Sequence, residues 1–592
     1  MSSATLDTRN EKKIRDAEDL LFTGPQRLGV AKALFFGRFV ADWVTPYPVM
    51  PLEQQRKLDA VMPNLRQFLD EKLDPAAIDR AAEIPRDVID GLAGLGVLGM
   101  TAPEEFGGLG FSQMAYGQVL QEIGGRCAST SVFVNAHHSI GIRGLLLFGT
   151  PEQQRRWLPP LVRGQQLAAF ALTEPEAGSD AANVQTTATL SADGTHYLLN
   201  GEKRYITNAA IAQVLNVMAR VPAAEGKGSS VAAFLVTPDM PGFKIVEGRM
   251  SKLGIRGTAT ARLAFENMPV PTENMLGGPA QGLKVALTVL DYGRTTFGAC
   301  CTGAAKTCLR LATHHARTRR QFGRTLGEFE LVKKKIALMA AATYAMEATT
   351  VVTASLIDRG LEDYMLETAM LKVFTTEALW QIVNDAFQIH GGAAYFTDLP
   401  LERMLRDARI NQIGEGANEV LISFIALVGM RGPGLQFKEI WDALHQPGAS
   451  EFRSAWRVGL DRLGAAMHPP AVPVRNTVVD SYGQQLARMI WRFNLAVDQA
   501  LIRYREGILD REYVQERIAR VAMELYASAC VLSRWDAEVS SGAATGEAGR
   551  ASLYLRGAFR RMRRYLAALR DNDDLALTAV ADEALHASSC QS

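Results

Sequence analysis

At 592 residues the chain is long enough for about three to five domains, each with its own core. A composition of 47% hydrophobic and 21% charged residues suits a soluble globular enzyme, and a net charge of +1 gives no global attraction to nucleic acid or to an anionic membrane. Six cysteines without a CxxC pair exclude a disulfide framework and a zinc or thiol-exchange site.

Cys300, Cys301 and Cys308 fall together in a helical stretch and are expected in the core, as in a reducing compartment. The N-terminus carries Asp7, Glu11, Asp16, Glu18 and Asp19 and no apolar run, so neither a secretory nor a transit peptide is expected. No stretch of ~18 apolar residues is present, and none is expected to cross a bilayer.

In chain order, 1–50 reads as an N-terminal extension and 51–166 as helices broken by Pro/Gly loops such as Thr101–Gly110. The apolar run from Ser131 to Gly149 predicts a buried helix. Between 167 and 278 short alternating, β-branched runs predict a β-domain, with hairpin turns at Asp193-Gly194 and Asn200-Gly201. From 279 to 430 helices return; Leu366, Met370, Val373 and Phe374 form a core-facing stripe, and Gly391-Gly392 stop that helical stretch. A linker at 431–475 then leads to a helical domain at 476–592, in which Val514, Ile518, Val521, Ala522 and Leu525 mark one face. The order is mainly α with a central β-domain, which argues against a doubly wound sheet. Gly94, Gly96 and Gly99 spell GxGxxG, but a charged helical segment precedes them and a proline loop follows, so a helix end and turn is expected.

Four segments carry chemistry. Phe170–Asp180 leaves a strand into a loop whose amides and hydroxyls, Thr173 and Ser179, suit a planar polar ring or a phosphate. Arg319 and Phe322 are three apart in a helical region and are expected to share a helix face, a guanidinium beside an aromatic. Gln388–Gly392 closes a helix with glycines that allow close approach. Ile413–Glu419 sets Glu415 between glycines, with Asn418 as the expected N-cap of the next helix. Taken singly, these read first as a polar loop, a solvated basic face, a packed histidine and a surface glutamate.

Together the four segments resemble the acyl-CoA dehydrogenase family. Pro103–Gly110, Lys252–Gly257, Val270–Gly277 and Leu290–Arg294 agree with that resemblance, in one unbroken order. Ala33–Pro48, Ala136–Gly149 and Leu501–Arg534 look like its very-long-chain branch, which has an added C-terminal helical domain. The resemblance implies a helical, β-barrel-like, helical fold and FAD as cofactor. It implies that Phe170, Leu172, Thr173, Ser179, Tyr205, Ile206 and Thr207 line the flavin. Arg319, Phe322, Gln388, Gly391 and Gly392 would hold the pyrophosphate and adenosine across a homodimer interface. Ala417, Asn418 and Glu419 would close over the cofactor.

The resemblance also makes Glu415 the base that removes the α-proton of a fatty acyl-CoA, with Ser179, Asp291, Arg294, Gly414 and Gly416 near the substrate. Some relatives carry the base just before the arginine matching Arg294; here that residue is Gly293. Three departures stand out: Gly414 replaces an aromatic, Tyr205 a tryptophan, and Glu330 a common glutamine. Electron-transfer flavoprotein is the implied acceptor, with an oxygen-using oxidase and a respiratory-complex assembly factor as alternatives on the same fold.

Seven arginines and no acidic residue lie between Arg550 and Arg570, and Phe437, Trp441, Phe452 and Trp456 are mixed with charges. A packed helix with a solvated basic face is one reading of the arginines. The other, which the very-long-chain branch favours, is peripheral contact with the inner membrane of a cytoplasmic enzyme.

Overall fold

In a computed structural model, residues 28–222, 228–445, 449–542 and 547–589 are described. Most of the expected N-terminal extension, residues 1–27, lies outside them. The chain forms two compact units, one of 49–417 and one of 28–48 with 418–592. The helices are α1 Val30–Phe35, α2 Leu52–Lys72, α3 Pro75–Ala81, α4 Arg86–Gly94, α5 Gln113–Gly124, α6 Ala128–Val134, α7 Arg143–Phe148 and α8 Pro151–Val162. After the strands come α9 Gly282–Thr318, α10 Glu330–Asp358, α11 Met365–His390, α12 Leu401–Arg409, α13 Asn418–His445, α14 Ala449–Met467, α15 Thr477–Tyr504, α16 Glu512–Ser540, α17 Ala548–Ala568 and α18 Asp574–Ser589.

The middle of the first unit is one sheet of β1 Ala168–Ala171, β2 Thr187–Leu190, β3 His196–Ile206, β4 Val214–Pro222, β5 Ser229–Val236, β6 Phe243–Glu247, β7 Ala261–Pro271 and β8 Met275–Leu276. Its path runs β6-β7-β3-β2-β4-β5-β8, with β1 parallel to β4. Alternate residues point to opposite faces of a strand. Phe170, Val214, Met218, Ala233 and Leu235 pack with Ile140, Leu145, Leu158 and Val289 of the helices, while Ala169, Ala171, Leu215, Val217 and Phe234 pack on the other face with Leu199, Leu263 and Phe265.

Asp193-Gly194 does turn β2 into β3. Asn200-Gly201 does not turn. It is a bulge inside β3, where Gly201 adopts φ +148° and Asn200 Oδ1 accepts from the Asn267 N–H at 2.8 Å. A side chain at 201 would meet Thr186 Cα at 2.7 Å, so the glycine is required by close approach of the neighbouring strand.

The buried run at Ser131–Gly149 is split rather than one helix: a π-helical turn, Asn135–Gly141, separates α6 from α7. The expected linker is also largely helical. α13 continues through Pro433 to His445, and α14 follows, so the Gly/Pro composition there does not break the helix. Gly94, Gly96 and Gly99 form a helix end and turn, as expected. Cys127, Cys300, Cys301, Cys308 and Cys530 are buried free thiols.

α10 and residues Asn418–Asp442 of α13 are long and apolar enough to cross a membrane by length and composition, although the sequence contains no uncharged run of that length. More than half of α10's most apolar stretch is buried inside the protein, among α5, α9 and α11.

In the second unit, α1, α13, α15, α16 and α17 pack together. The α17 residues Ala551, Tyr554, Leu555, Ala558, Phe559 and Met562 are buried, leaving Arg556, Arg560, Arg563 and Arg564 exposed. This is the packed helix with a basic outer face.

Candidate active site

Glu415 lies in the short segment between α12 and α13 and adopts φ +58°, a left-handed conformation unusual for a residue with a side chain. Gly416 continues at φ +94°, where glycine carries no penalty. Two buried cations pin this turn by its carbonyls. Arg294 Nε on α9 donates to Glu415 O at 3.4 Å, and Lys372 Nζ on α11 donates to Gly416 O at 2.7 Å. Arg294 is itself paired with Asp291 at 3.0 Å, and Asp291 accepts from Thr368 Oγ1 at 2.9 Å. Burial pushes the Asp291 carboxyl up to about 6 against the opposing charge of Arg294.

Glu415 Oε2 is shielded from solvent and has no hydrogen-bond partner among the described residues. Across from it stands Gly293, where a Cβ would come 3.3 Å from that oxygen and 2.8 Å from Ile140 Cγ2. Burial raises the Glu415 carboxyl above its usual range, while Arg294 and Lys372 pull it down. An orphaned, desolvated carboxylate is equipped to take a proton from a bound molecule.

The loop after β1 is held by a buried ion pair. Glu174 accepts from Lys203 Nζ at 2.6 Å and from the Gln185 and Thr186 N–H groups, and Lys203 also donates to Leu172 O at 3.1 Å. The paired lysine and these N–H groups hold the Glu174 carboxyl below its usual range despite burial. Ser179 is exposed, and Thr173 and Thr207 are half-buried. Tyr205 is 58% exposed at φ +62°, with the Arg204 guanidinium 4.8 Å from its ring centre. Phe170, Leu172 and Ile206 are buried within the packed core, so beside this surface they offer chiefly backbone.

The expected shared helix face of Arg319 and Phe322 does not exist. α9 ends at Thr318, and Arg320–Gln321 pair with Arg324–Thr325 in a hairpin whose turn has Phe322 at φ +52° and Gly323 at φ +80°. Two successive left-handed residues suit such a tight turn, and they leave Phe322 93% exposed. The ends of α9 and α11 still meet: the His315 and His390 rings stack at 4.3 Å. That contact sets exposed Arg319 in the same region as exposed Gln388 and Gly391-Gly392, where an added Cβ would meet nothing. Ala417 closes the first unit; Asn418, buried, and Glu419, exposed, open α13. Asn418 is the first residue of that helix.

Residues 55–165, 169–268 and 280–429 match the N-terminal, middle and C-terminal domains of acyl-CoA dehydrogenase. The chain belongs to the acyl-CoA dehydrogenase family. Residues 478–590 match the C-terminal domain described as ACAD9/ACADV, which places it in the very-long-chain branch. The mitochondrial very long-chain specific acyl-CoA dehydrogenase of Mus musculus is 33% identical over 87% of this chain and 80% of its own; that of Homo sapiens is 33% identical over 91% and 82%. An acyl-CoA dehydrogenase complexed with FAD from Bacillus anthracis superposes with a TM-score of 0.77 at 26% identity, covering 93% of this chain and 94% of that one.

This acyl-CoA dehydrogenase is thus an FAD-dependent oxidoreductase of fatty acid oxidation. Its residues fit that cofactor: an exposed aromatic at Tyr205, loop hydroxyls at Thr173, Ser179 and Thr207, an open glycine surface at Gly391-Gly392, and the orphaned Glu415 carboxylate. Sequence reasoning missed Glu174, Lys203 and Lys372. A charge in the middle of the apolar, small-residue run Ala369–Thr376 was the signal for Lys372.

Proposed function

We propose that this enzyme dehydrogenates the Cα–Cβ bond of long-chain fatty acyl-CoA to the trans-2-enoyl thioester, with Glu415 removing the α-proton. The observation that carries this reading is the buried, unpartnered Glu415 Oε2 in a turn held by Arg294 and Lys372. Bound FAD supplies the acceptor for the β-hydride. The Glu415 N–H is the donor that this chain offers to the thioester oxygen as enolate-like charge builds on it. The two buried cations oppose the burial that raises the carboxylate.

Support for a long chain comes from α9. Gly293, Phe297, Cys300, Cys301 and Ala304 recur at helical spacing, and the last four line a narrow cavity with Val132, Leu379 and Val383. At 1.5 Å per residue the stripe from Gly293 to Ala304 spans about 16 Å. Ala304→Phe is expected to shift the preferred acyl length to shorter chains. Turnover across a series of acyl-CoA lengths measures this, and an unchanged profile would count against the cavity as the tail site.

Removing the Lys372 charge takes away one of the two influences that lower the Glu415 pKa. At a given pH a smaller fraction of the base is then ionised. Lys372→Met should therefore move the acid limb of the pH–rate profile to higher pH and slow reduction by about 10-fold or more. An unmoved limb would show that Lys372 does not act on the base.

Electron-transfer flavoprotein is the acceptor we assign; turnover with it and no peroxide in air tests that against an oxidase. Exposed Arg319, Phe322, Tyr395 and Phe396 suit completion of the cofactor site by a second subunit, and a monomer at micromolar concentration would overturn the homodimer.

We place the enzyme in the cytoplasm, in peripheral contact with the inner membrane. On α14, Trp456, Leu460, Leu463 and Met467 lie on one stripe and are 53–63% exposed; Trp441 on α13 is also exposed. The Phe452 side chain lies outside the described residues. Trp456→Ser with Leu460→Ser is expected to abolish sedimentation with anionic vesicles. Equal sedimentation of variant and parent would contradict this.

A further inference from the structure

We infer that the site admits acyl-CoA thioesters substituted at Cα, such as 2-methyl-branched chains, with one epimer preferred. The inference rests on Glu415 being the base. Because that carboxylate must reach the α-hydrogen, whatever stands beside it also stands beside Cα.

Three glycines surround Glu415: Gly414 and Gly416 in the chain, and Gly293 across from it. They are not equivalent. Gly416 is needed for its backbone, at φ +94°. Gly293 is needed for space already taken, because its Cβ would meet Ile140 Cγ2 at 2.8 Å and Glu415 Oε2 at 3.3 Å. Gly414 answers to neither requirement. It is absent from the positive-φ residues, and a Cβ there would meet only Ile410 O, at 3.7 Å.

The wall beside the carboxylate is therefore closed on the side of Gly293 and Ile140 and open on the side of Gly414. Because Glu415 must face the α-hydrogen, a substituent on Cα takes the open side in one epimer and would face the carboxylate in the other, which makes the pocket handed. The residue that decides this is Gly414, with Ile140 as the opposing wall.

The test compares straight-chain and 2-methyl-branched acyl-CoA of equal length, each epimer separately, on the FAD-loaded enzyme under anaerobic conditions. Flavin reduction is followed in wild type, G414A, G414F and I140A. The inference expects wild type to oxidise one epimer within about 10-fold of the straight chain. The branched-to-straight ratio should fall moderately in G414A and by about 100-fold or more in G414F, while I140A should leave the epimer preference in place. Wild type that oxidises straight chains but rejects both epimers would overturn it, as would a ratio unchanged in G414F. If neither substrate class reduces the flavin, the dehydrogenase reading falls together with it.

Discussion

Glu415→Gln should yield a folded, FAD-binding protein that acyl-CoA reduces about 10³–10⁴-fold more slowly than the parent. The amide preserves shape but cannot accept the α-proton, and among the described residues no other carboxylate is placed to substitute. Gly293 occupies the facing position on α9, and Asp291 is engaged by Arg294 and Thr368. The same substitution carries a stability signature of opposite sign. The folded-state pKa of Glu415 lies above its unfolded value. Its contribution is fully present below the unfolded pKa and is lost as pH rises through the folded one. The glutamine variant has no such loss, so its thermal stability relative to the parent should improve from pH 5 to pH 8. Stopped-flow reduction and melting curves at the two pH values check both halves. A variant that is slow but shows no pH-dependent gain would mean that the carboxylate is not desolvated.

Lys203→Met should cost about 3–5 kcal/mol of folding stability, because it strands the Glu174 carboxylate in the interior. The side chains of Lys203 and Glu174 are 0% and 2% exposed, and Glu174 also anchors the Gln185 and Thr186 N–H groups. Lys203 further holds Leu172 O, directly before Thr173. Loss of the pair thus reaches the flavin loop, and FAD content should fall along with the denaturation midpoint. The double variant Lys203→Met with Glu174→Leu removes both charges and should recover part of the stability, though not the loop hydrogen bonds. Denaturant midpoints and bound flavin per chain measure this. A single variant within about 1 kcal/mol of the parent would show that the pair is not an anchor.

Periodicity disclosed the helical, β, helical order and the core stripes because burial imposes it directly on the sequence. Val514, Ile518, Val521, Ala522 and Leu525 are all buried on α16, as their spacing requires. Local turn chemistry was less faithful. Asn200-Gly201 has the composition of a hairpin, but the Thr186 backbone running close beside Gly201 and the Asn200–Asn267 hydrogen bond make it a bulge. Arg319 and Phe322 have helical spacing, yet the left-handed Phe322-Gly323 turn leaves the helix first. At the site, Glu415 stood out through its glycines, whereas its supporting contacts did not. A lone charge in an apolar run marked Lys372, but its bond to Gly416 O and the Glu174–Lys203 pair join residues far apart in the chain, which no local pattern records.

Anaerobic titration of the purified yellow protein with a long-chain acyl-CoA, read as bleaching of the flavin absorbance, tests the central claim most directly. Stoichiometric bleaching that is fast in the parent and abolished in Glu415→Gln is the expected result. A flavin-loaded parent that no acyl-CoA of any length reduces would contradict the account and leave the fold serving a non-catalytic role.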